Sequence, residues 1–285
     1  MALFGGMEMY VGLLGPFQAG VGEASIVPTA GKPRNLLALF ALNPGTLLTN
    51  LVITEELWAG HPPRRATSAI HAYVMRLRHA LTSALPCHTP ERPDAKEILQ
   101  TVPGGYVLRP GECFASDAAE FRRLVDLGNR RGEVGDRDGA AQLLRAALDL
   151  WRGPALADLQ PGPVLEREIL ALEERRRTAT ERRIALDLEL GRHHLVLDEL
   201  TELTARNRMH EYLHALHMVA LQRSGRRTSA IELFERLRRD MEKGLGTEPA
   251  AWINQLRLTV LDADANLDNP LPKEIPPVYG DRPAR

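Results

Sequence analysis

Cysteine is scarce in this chain of 285 residues. Cys87 and Cys113 are its two cysteines, and they form neither a Cys-x-x-Cys pair nor a cysteine–histidine spacing typical of a metal site. Two cysteines are too few for the disulfide framework of a small secreted domain. The composition therefore fits a reducing compartment.

Long hydrophobic runs are also missing. No stretch of about 18 consecutive apolar residues, the length that a membrane-spanning helix needs, occurs in the chain. The first residues, MALFGGMEMYVGLLG, contain neither a basic leader nor a cleavage site. We therefore expect a cytoplasmic protein that does not cross a membrane.

Motifs of enzymes are equally scarce. Gly31-Lys32 is followed by Pro33 and not by the Ser or Thr of a nucleotide-binding Walker loop, and no HExxH or Gly-x-Ser-x-Gly motif occurs. His210, His214 and His217 share a helical spacing but lie beside leucines, which favours packed or solvated histidines over metal ligands. We therefore expect a protein that is not an enzyme and that has neither a metal site nor a cofactor.

Acidic residues are absent from one long stretch. The whole chain has 36 Lys and Arg against 37 Asp and Glu, a net charge of −1. No Asp or Glu occurs between Glu56 and Glu91, whereas four arginines and four histidines do. This positive stretch is the electrostatic signature of nucleic-acid binding, which the net charge conceals.

The N-terminal part predicts a small sheet followed by helices. Short apolar or alternating runs within 9–27, separated by glycine-containing turns, indicate three or four antiparallel strands. An apolar helix over 34–42 and a second helix over 51–58 follow, the second with Thr49 or Asn50 as its N-cap.

A longer helix is predicted from Arg64 to Leu85. Its apolar residues recur at helical spacing, so one face belongs to the core, while the other is polar and basic. Residues 97–109 then indicate a strand, a turn and a strand. Sheet, two helices, basic helix and hairpin are the order of elements in a winged helix-turn-helix domain.

The outward face of the basic helix is the candidate DNA-binding site. A helix that enters the major groove must be packed on one side and positive on the other, because phosphates supply affinity and base edges supply sequence preference. Phosphate contacts are expected at the start of the first helix, and only backbone contacts at the wing tip. The predicted residues are Lys32, Arg34, Arg64, Arg65, Ser68, His71, Ala72, Met75, Arg76, Arg78, His79 and Tyr106.

For two of these residues the sequence is equally compatible with another role. His71 is equally compatible with a solvated helix histidine, and Met75 with packing against a neighbour instead of a thymine methyl group.

From Asp117 onward the sequence predicts helices without strands, roughly over 117–131, 136–151, 164–190, 192–206, 210–224, 226–243 and 249–264. Leu190-Gly191-Arg192 and Ser224-Gly225-Arg226 lie 34 residues apart, the period of tetratricopeptide helix pairs. We therefore expect an α+β winged helix-turn-helix domain over 1–111, an all-α tetratricopeptide-like domain over 112–265 and a Pro-rich tail over 266–285.

Several segments resemble the Streptomyces antibiotic regulatory proteins. In the N-terminal part they are Val11-Gly12-Leu13-Leu14-Gly15-Pro16, Leu57-Trp58-Ala59-Gly60-His61-Pro62-Pro63, Arg76-Leu77-Arg78 with Leu81, and Gly104-Gly105-Tyr106. In the C-terminal part they are Ala146-Ala147-Leu148-Asp149-Leu150-Trp151-Arg152-Gly153-Pro154-Ala155-Leu156, Leu190-Gly191-Arg192-His193 and Leu245-Gly246-Thr247-Glu248-Pro249.

The resemblance implies an OmpR-like winged helix-turn-helix followed by a bacterial transcriptional activation domain. It also implies a pathway-specific activator that binds direct repeats in promoter DNA with a second protomer beside it, and that recruits RNA polymerase. His71, Ala72 and Met75 differ from residues common in that family, so the base preference is expected to differ.

The sequence is also compatible with two other functions. The helical repeats could serve as a protein-interaction module, or as a small-molecule sensor, without direct DNA readout.

Overall fold

The computed structural model describes residues 9–85, 94–109, 111 and 114–262. The chain forms two compact units, which we call unit 1 and unit 2. Unit 1 comprises residues 1–123 and 147–176, and unit 2 comprises residues 124–146 and 177–285. Unit 1 thus contains the predicted winged helix-turn-helix region together with a segment from much later in the sequence.

The elements follow the predicted order closely. Unit 1 contains β1 (Met9–Gly12), β2 (Gln18–Val21), β3 (Ala24–Ser25), α1 (Gly31–Leu42), β4 (Leu48–Thr49), α2 (Asn50–Trp58), α3 (Ala66–Ala84), α4 (Ala95–Ile98), β5 (Leu99–Val102), β6 (Gly105–Leu108) and β7 (Phe114–Ser116). Both units contribute residues to α5 (Asp117–Glu133), α6 (Arg137–Leu148) and α7 (Pro163–Glu189). Unit 2 also contains α8 (His193–Arg206), α9 (Glu211–Arg223), α10 (Arg227–Leu245) and α11 (Ala251–Leu261).

Two small sheets frame the helices of unit 1. The first has the strand order β3-β2-β1-β7, with β1 antiparallel to β2 and parallel to β7. The second has the order β4-β6-β5, and its β5–β6 hairpin is the predicted wing. Gly105 lies where a side chain would collide with the Leu48 carbonyl group, so only glycine allows β4 to pair with β6 there.

Local chemistry explains how α2 and α3 form. The Thr49 side chain accepts a hydrogen bond from the Val52 N–H at 3.3 Å, so Thr49 and not Asn50 is the N-cap of α2. In α3 the side chains of Ile70, Val74 and Leu77 are each 1% exposed, and Leu81 matches them. Their spacing of three and four residues forms the apolar stripe that the periodicity predicted.

A buried carboxylate connects α2 to the beginning of α7. Glu56 is 3% exposed and accepts hydrogen bonds from the backbone N–H groups of Gly162, Val164 and Leu165, at 2.7, 3.0 and 2.8 Å. The first N–H groups of a helix have no partner inside the helix, so Glu56 satisfies them from outside. Burial raises the pKa of Glu56, and the backbone donors act against that rise.

Asp117 fixes the end of the first sheet in a similar way. Its carboxylate accepts hydrogen bonds from the N–H groups of Leu13 and Leu14 at 2.7 and 3.1 Å. Arg152 donates to the same carboxylate at 3.0 Å and to the Pro16 carbonyl oxygen at 3.1 Å. The later segment of unit 1 is therefore part of its polar framework.

Unit 2 is built from helices joined by matching turns. Gly135, Gly191 and Gly225 all have a positive φ, between 73° and 84°. After each glycine the next residue donates its N–H to a carbonyl group five residues earlier, as in Arg192 to Asp187 and Arg226 to Leu221. This left-handed helix ending favours glycine, and its repetition 34 residues apart between Gly191 and Gly225 supports the predicted repeat.

The core of unit 2 lies between α7, α8, α9, α10 and α11. Two histidines of α9, His214 and His217, are buried in unit 2. The Nδ1 atom of His217 lies 3.1 Å from the Thr204 hydroxyl oxygen, and that of His214 lies 3.0 Å from the His210 carbonyl oxygen. Burial lowers the pKa of both histidines, that of His217 to about 4.

None of the helices in the described part of the chain combines the length and the apolar character that crossing a membrane demands.

We expect Glu56→Ala to lower the free energy of unfolding of unit 1 by about 2–4 kcal/mol, because buried N–H groups at the start of α7 lose their acceptor. Urea unfolding followed by tryptophan fluorescence measures the change. Glu55→Ala is the matched control, since Glu55 is exposed enough that its 3.8 Å ion pair with Arg167 contributes little. Equal losses for the two variants would contradict the role of Glu56.

Acidification is expected to destabilise unit 2 through His217. The unfolded chain has the ordinary histidine pKa of 6.5 and the folded chain one of about 4. As the pH falls below 6.5 the unfolded state binds the proton first, so stability decreases until about pH 4, by about 3 kcal/mol. Urea unfolding across this range should show a shallower pH dependence for His217→Gln and an unchanged one for the exposed control His194→Gln. The same pH dependence in all three proteins would refute this expectation.

Candidate nucleic-acid interface

Eight of the predicted DNA-binding residues share the solvent-exposed side of α3 and its N-terminal approach. The eight exposed residues are Arg64, Arg65, Ser68, His71, Ala72, Met75, Arg76 and His79. We call this set the α3 face. Its members within the helix recur at three- and four-residue intervals opposite the buried stripe, so they lie on one surface.

The positive charges of the α3 face are not neutralised locally. Among the residues that the structure describes, Arg64, Arg65 and Arg76 form no ion pair with a carboxylate. The absence of Asp and Glu between Glu56 and Glu91 explains this. Unpaired arginines on a helix and directly before it are suited to phosphate oxygens.

Met75 projects from the middle of the α3 face. Its side chain is 55% exposed, so the structure favours the exposed alternative over packing against a neighbour. An exposed methionine among polar groups offers an apolar contact of the kind that a thymine methyl group accepts.

The His71 ring is hydrogen-bonded on its inner side to a tyrosine. Its Nδ1 atom lies 2.8 Å from the hydroxyl oxygen of Tyr106, and the two rings meet edge to face. Tyr106 is 2% exposed and also contacts the edge of Phe40, and burial raises its pKa. The prediction that Tyr106 itself contacts DNA therefore needs revision, because its side chain lies beneath the surface and supports His71.

Arg78 also turns away from the α3 face. Its Nε and Nη2 atoms donate to the Leu99 carbonyl oxygen at 3.0 and 2.7 Å, and Nη2 donates to the Thr101 hydroxyl at 2.8 Å. These bonds attach β5 of the wing to α3. The Nε and Nη2 donors of Arg78 are thus used inside unit 1, which gives this side chain a supporting role, and its DNA contact stays a prediction.

The two basic residues of α1 differ in their surroundings. Arg34 forms an ion pair with Asp158, and its side chain is 26% exposed, so its charge is neutralised within unit 1. Lys32 is exposed, and its ammonium group lies 4.7 Å from the centre of the Trp58 ring. The predicted phosphate contact therefore fits Lys32 and not Arg34.

One candidate was missed in the sequence. Thr67 is exposed in the first turn of α3, four residues before His71. Residues four apart on a helix are surface neighbours, so this spacing alone could have identified it. The wing tip at Pro103 and Gly104 is exposed and has no charged side chain.

Two family models match the chain. The model described as "Transcriptional regulatory protein, C terminal" matches residues 24–108, and the "Bacterial transcriptional activator domain" matches residues 116–261.

Similar proteins are found among bacterial regulators. Regulatory protein DnrI of Streptomyces peucetius is 40% identical over 94% of this chain and 97% of its own length. Regulatory protein AfsR of Streptomyces griseus is 33% identical over 96% of this chain, which spans 26% of that longer protein.

A solved structure has the same fold. The structure of Mycobacterium tuberculosis EmbR in complex with a low affinity phosphopeptide has a TM-score of 0.80 and 28% identity, covering 89% of this chain and 65% of that chain. The chain thus spans less than two thirds of the EmbR chain.

The resemblance seen in the sequence motifs is confirmed by these matches, which extend over both parts of the chain. The chain belongs to the Streptomyces antibiotic regulatory protein family of transcriptional regulators, with an OmpR-like winged helix-turn-helix region followed by a helical bacterial transcriptional activator domain.

Proposed function

We propose that this protein is a sequence-specific activator of a secondary-metabolite gene cluster, and that it places the α3 face in the major groove of promoter DNA. One observation carries the proposal: the unpaired Arg76 lies on α3, whose opposite side is fully buried in unit 1, and the unpaired Arg64 and Arg65 directly precede this helix. This arrangement lets a rigid helix approach a polyanion without rearranging the core.

The residues of the α3 face divide into two roles. Arg64, Arg65 and Arg76 contact phosphates, with Lys32 adding a phosphate contact from α1. Ser68, His71, Ala72, Met75 and His79 face base edges, where hydroxyl, imidazole and apolar groups discriminate between bases.

Two protomers bind side by side on direct repeats, and the bound protein recruits RNA polymerase. Membership of the family and the matched activator domain support this part of the proposal. Direct repeats separated by about one helical turn place both protomers on the same side of the duplex.

Binding to duplex DNA should weaken steeply with added salt, because phosphate contacts release counterions. Replacing Arg76 by Ala should weaken binding to specific and shuffled duplexes alike and reduce the slope of log affinity against log salt by about 1. Fluorescence anisotropy across a salt series measures both effects.

Arg208→Ala provides the matched control for charge. Arg208 is an exposed arginine between α8 and α9, outside the proposed interface, and its replacement removes the same formal charge. An unchanged salt slope in Arg76→Ala, or an equal reduction in Arg208→Ala, would remove the α3 face from the interface.

The direct-repeat arrangement predicts a dependence on helical phase. Adding about 5 base pairs between two repeats should abolish cooperative binding and activated transcription with purified RNA polymerase, whereas adding about 10 should partly restore both. Gel-shift titration and run-off transcription on the same templates test this. Activation independent of the spacing would disprove side-by-side binding.

A further inference from the structure

The contact between His71 and Tyr106 places a buried hydroxyl group directly behind an exposed imidazole. Tyr106 is 2% exposed, whereas His71 belongs to the α3 face. The hydroxyl oxygen and Nδ1 are 2.8 Å apart, a normal hydrogen-bond distance. A buried side chain is thus bonded to an outward-facing group of the proposed DNA interface.

The direction of this hydrogen bond follows from the surroundings of Tyr106. Burial raises the pKa of Tyr106, so the phenol keeps its proton at neutral pH. Within the described residues, His71 is the hydrogen-bond partner of this hydroxyl. If Nδ1 donated instead, the phenol hydrogen would be buried without an acceptor, which is unfavourable. Tyr106 therefore donates and Nδ1 accepts.

The bond also determines where the imidazole carries its proton. A neutral histidine has one N–H and one acceptor nitrogen, so acceptance at Nδ1 leaves the hydrogen on Nε2. In the part of the chain that the structure describes, no hydrogen bond engages Nε2 of His71. The ring is thus held in one orientation with a free N–H donor.

The wing strands keep Tyr106 in this position. Thr101 of β5 lies opposite Tyr106 of β6 in the hairpin, and Arg78 of α3 bonds to Thr101 and to the Leu99 carbonyl group. Phe40 contacts the Tyr106 ring edge to face, with the centroids 6.5 Å apart. Tyr106 is therefore fixed relative to the same helix that carries His71.

We propose that Tyr106 is a positioning residue for base recognition, which holds His71 as an Nε2–H donor and so selects a hydrogen-bond acceptor on a base edge. Suitable acceptors in the major groove are purine N7, guanine O6 and thymine O4, whereas the amino groups of adenine and cytosine are rejected. This inference rests on the proposed function, since it needs the α3 face in the groove.

Tyr106→Phe is the informative variant. It removes one oxygen atom and keeps the ring that packs against Phe40. Tyr73→Phe is the matched control, because Tyr73 lies on the same helix, half-buried, and its hydroxyl makes no hydrogen bond within the described residues. The probes are a duplex enriched from a randomised library by the unaltered full-length protein and a shuffled duplex of the same length and composition.

Tyr106→Phe should weaken binding to the enriched duplex about threefold to tenfold and leave binding to the shuffled duplex unchanged. His71→Ala should lose a similar factor and relax selection at the same base pair. Tyr106→Phe added to His71→Ala should cause no further loss, because the tyrosine acts through the histidine. Tyr73→Phe should bind as the unaltered protein does.

The imidazole nitrogen resonances of His71 give a readout independent of DNA. They should show Nε2 protonated and Nδ1 unprotonated in the unaltered protein, and a mixture of tautomers in Tyr106→Phe. A protonated Nδ1 in the neutral ring would overturn the inference.

The affinities distinguish failure of the inference from failure of the proposed function. A protein that prefers the enriched duplex and is unaffected by Tyr106→Phe overturns the inference alone. A further loss in the His71→Ala background assigns Tyr106 a merely structural role and also overturns it. A protein that enriches no duplex defeats the proposed function, and the inference with it.

Discussion

Burial of one side of α3 is the constraint on which the rest of unit 1 depends. Ile70, Val74, Leu77 and Leu81 are almost completely removed from solvent. Each such aliphatic side chain contributes about 1.5–3 kcal/mol by leaving water, so together they fix the rotation of the helix about its axis. A rotation that exposed them would carry Arg76 toward the core, where an unpaired charge is very costly. The α3 face is thus defined by what lies on the opposite side.

Periodicity and turn chemistry were sufficient to predict the long helices, but the short helix α4 (Ala95–Ile98) was missed and its last two residues were wrongly assigned to a strand. The apolar spacing of α3 and the glycines before α8 and α10 are local signals, and local structure follows from them. The parallel strand β7 was not predicted, because its three residues are too few to form a pattern and its partner β1 lies about a hundred residues earlier. The acceptor role of Glu56 was hidden for the same reason, since its donors are 106 to 109 residues away.

The exposure of the candidate residues was predictable within α3. The six residues of the α3 face that lie within the helix follow from helical spacing once the buried stripe is known, whereas Arg64 and Arg65 precede the helix. Arg34, Arg78 and Tyr106 did not follow, because a long or amphipathic side chain can reach inward as easily as outward. Which carboxylate, carbonyl or imidazole such a group meets depends on the tertiary fold. The partners are Asp158 for Arg34, Leu99 for Arg78 and His71 for Tyr106, and each of them is distant in sequence or belongs to another element.

The hydrogen bonds of Glu56 also affect folding during translation, because their donors are synthesised much later than Glu56. When the ribosome has synthesised the chain up to the wing, Arg34 and Glu56 are present. Their respective partners in the folded protein, Asp158 and Leu165, have not yet been synthesised. The winged helix-turn-helix region therefore cannot complete its polar contacts by itself during translation. Completion of these contacts requires about the first third of the activator domain to be synthesised, so folding of the winged helix-turn-helix region depends on synthesis of the helical region that follows it.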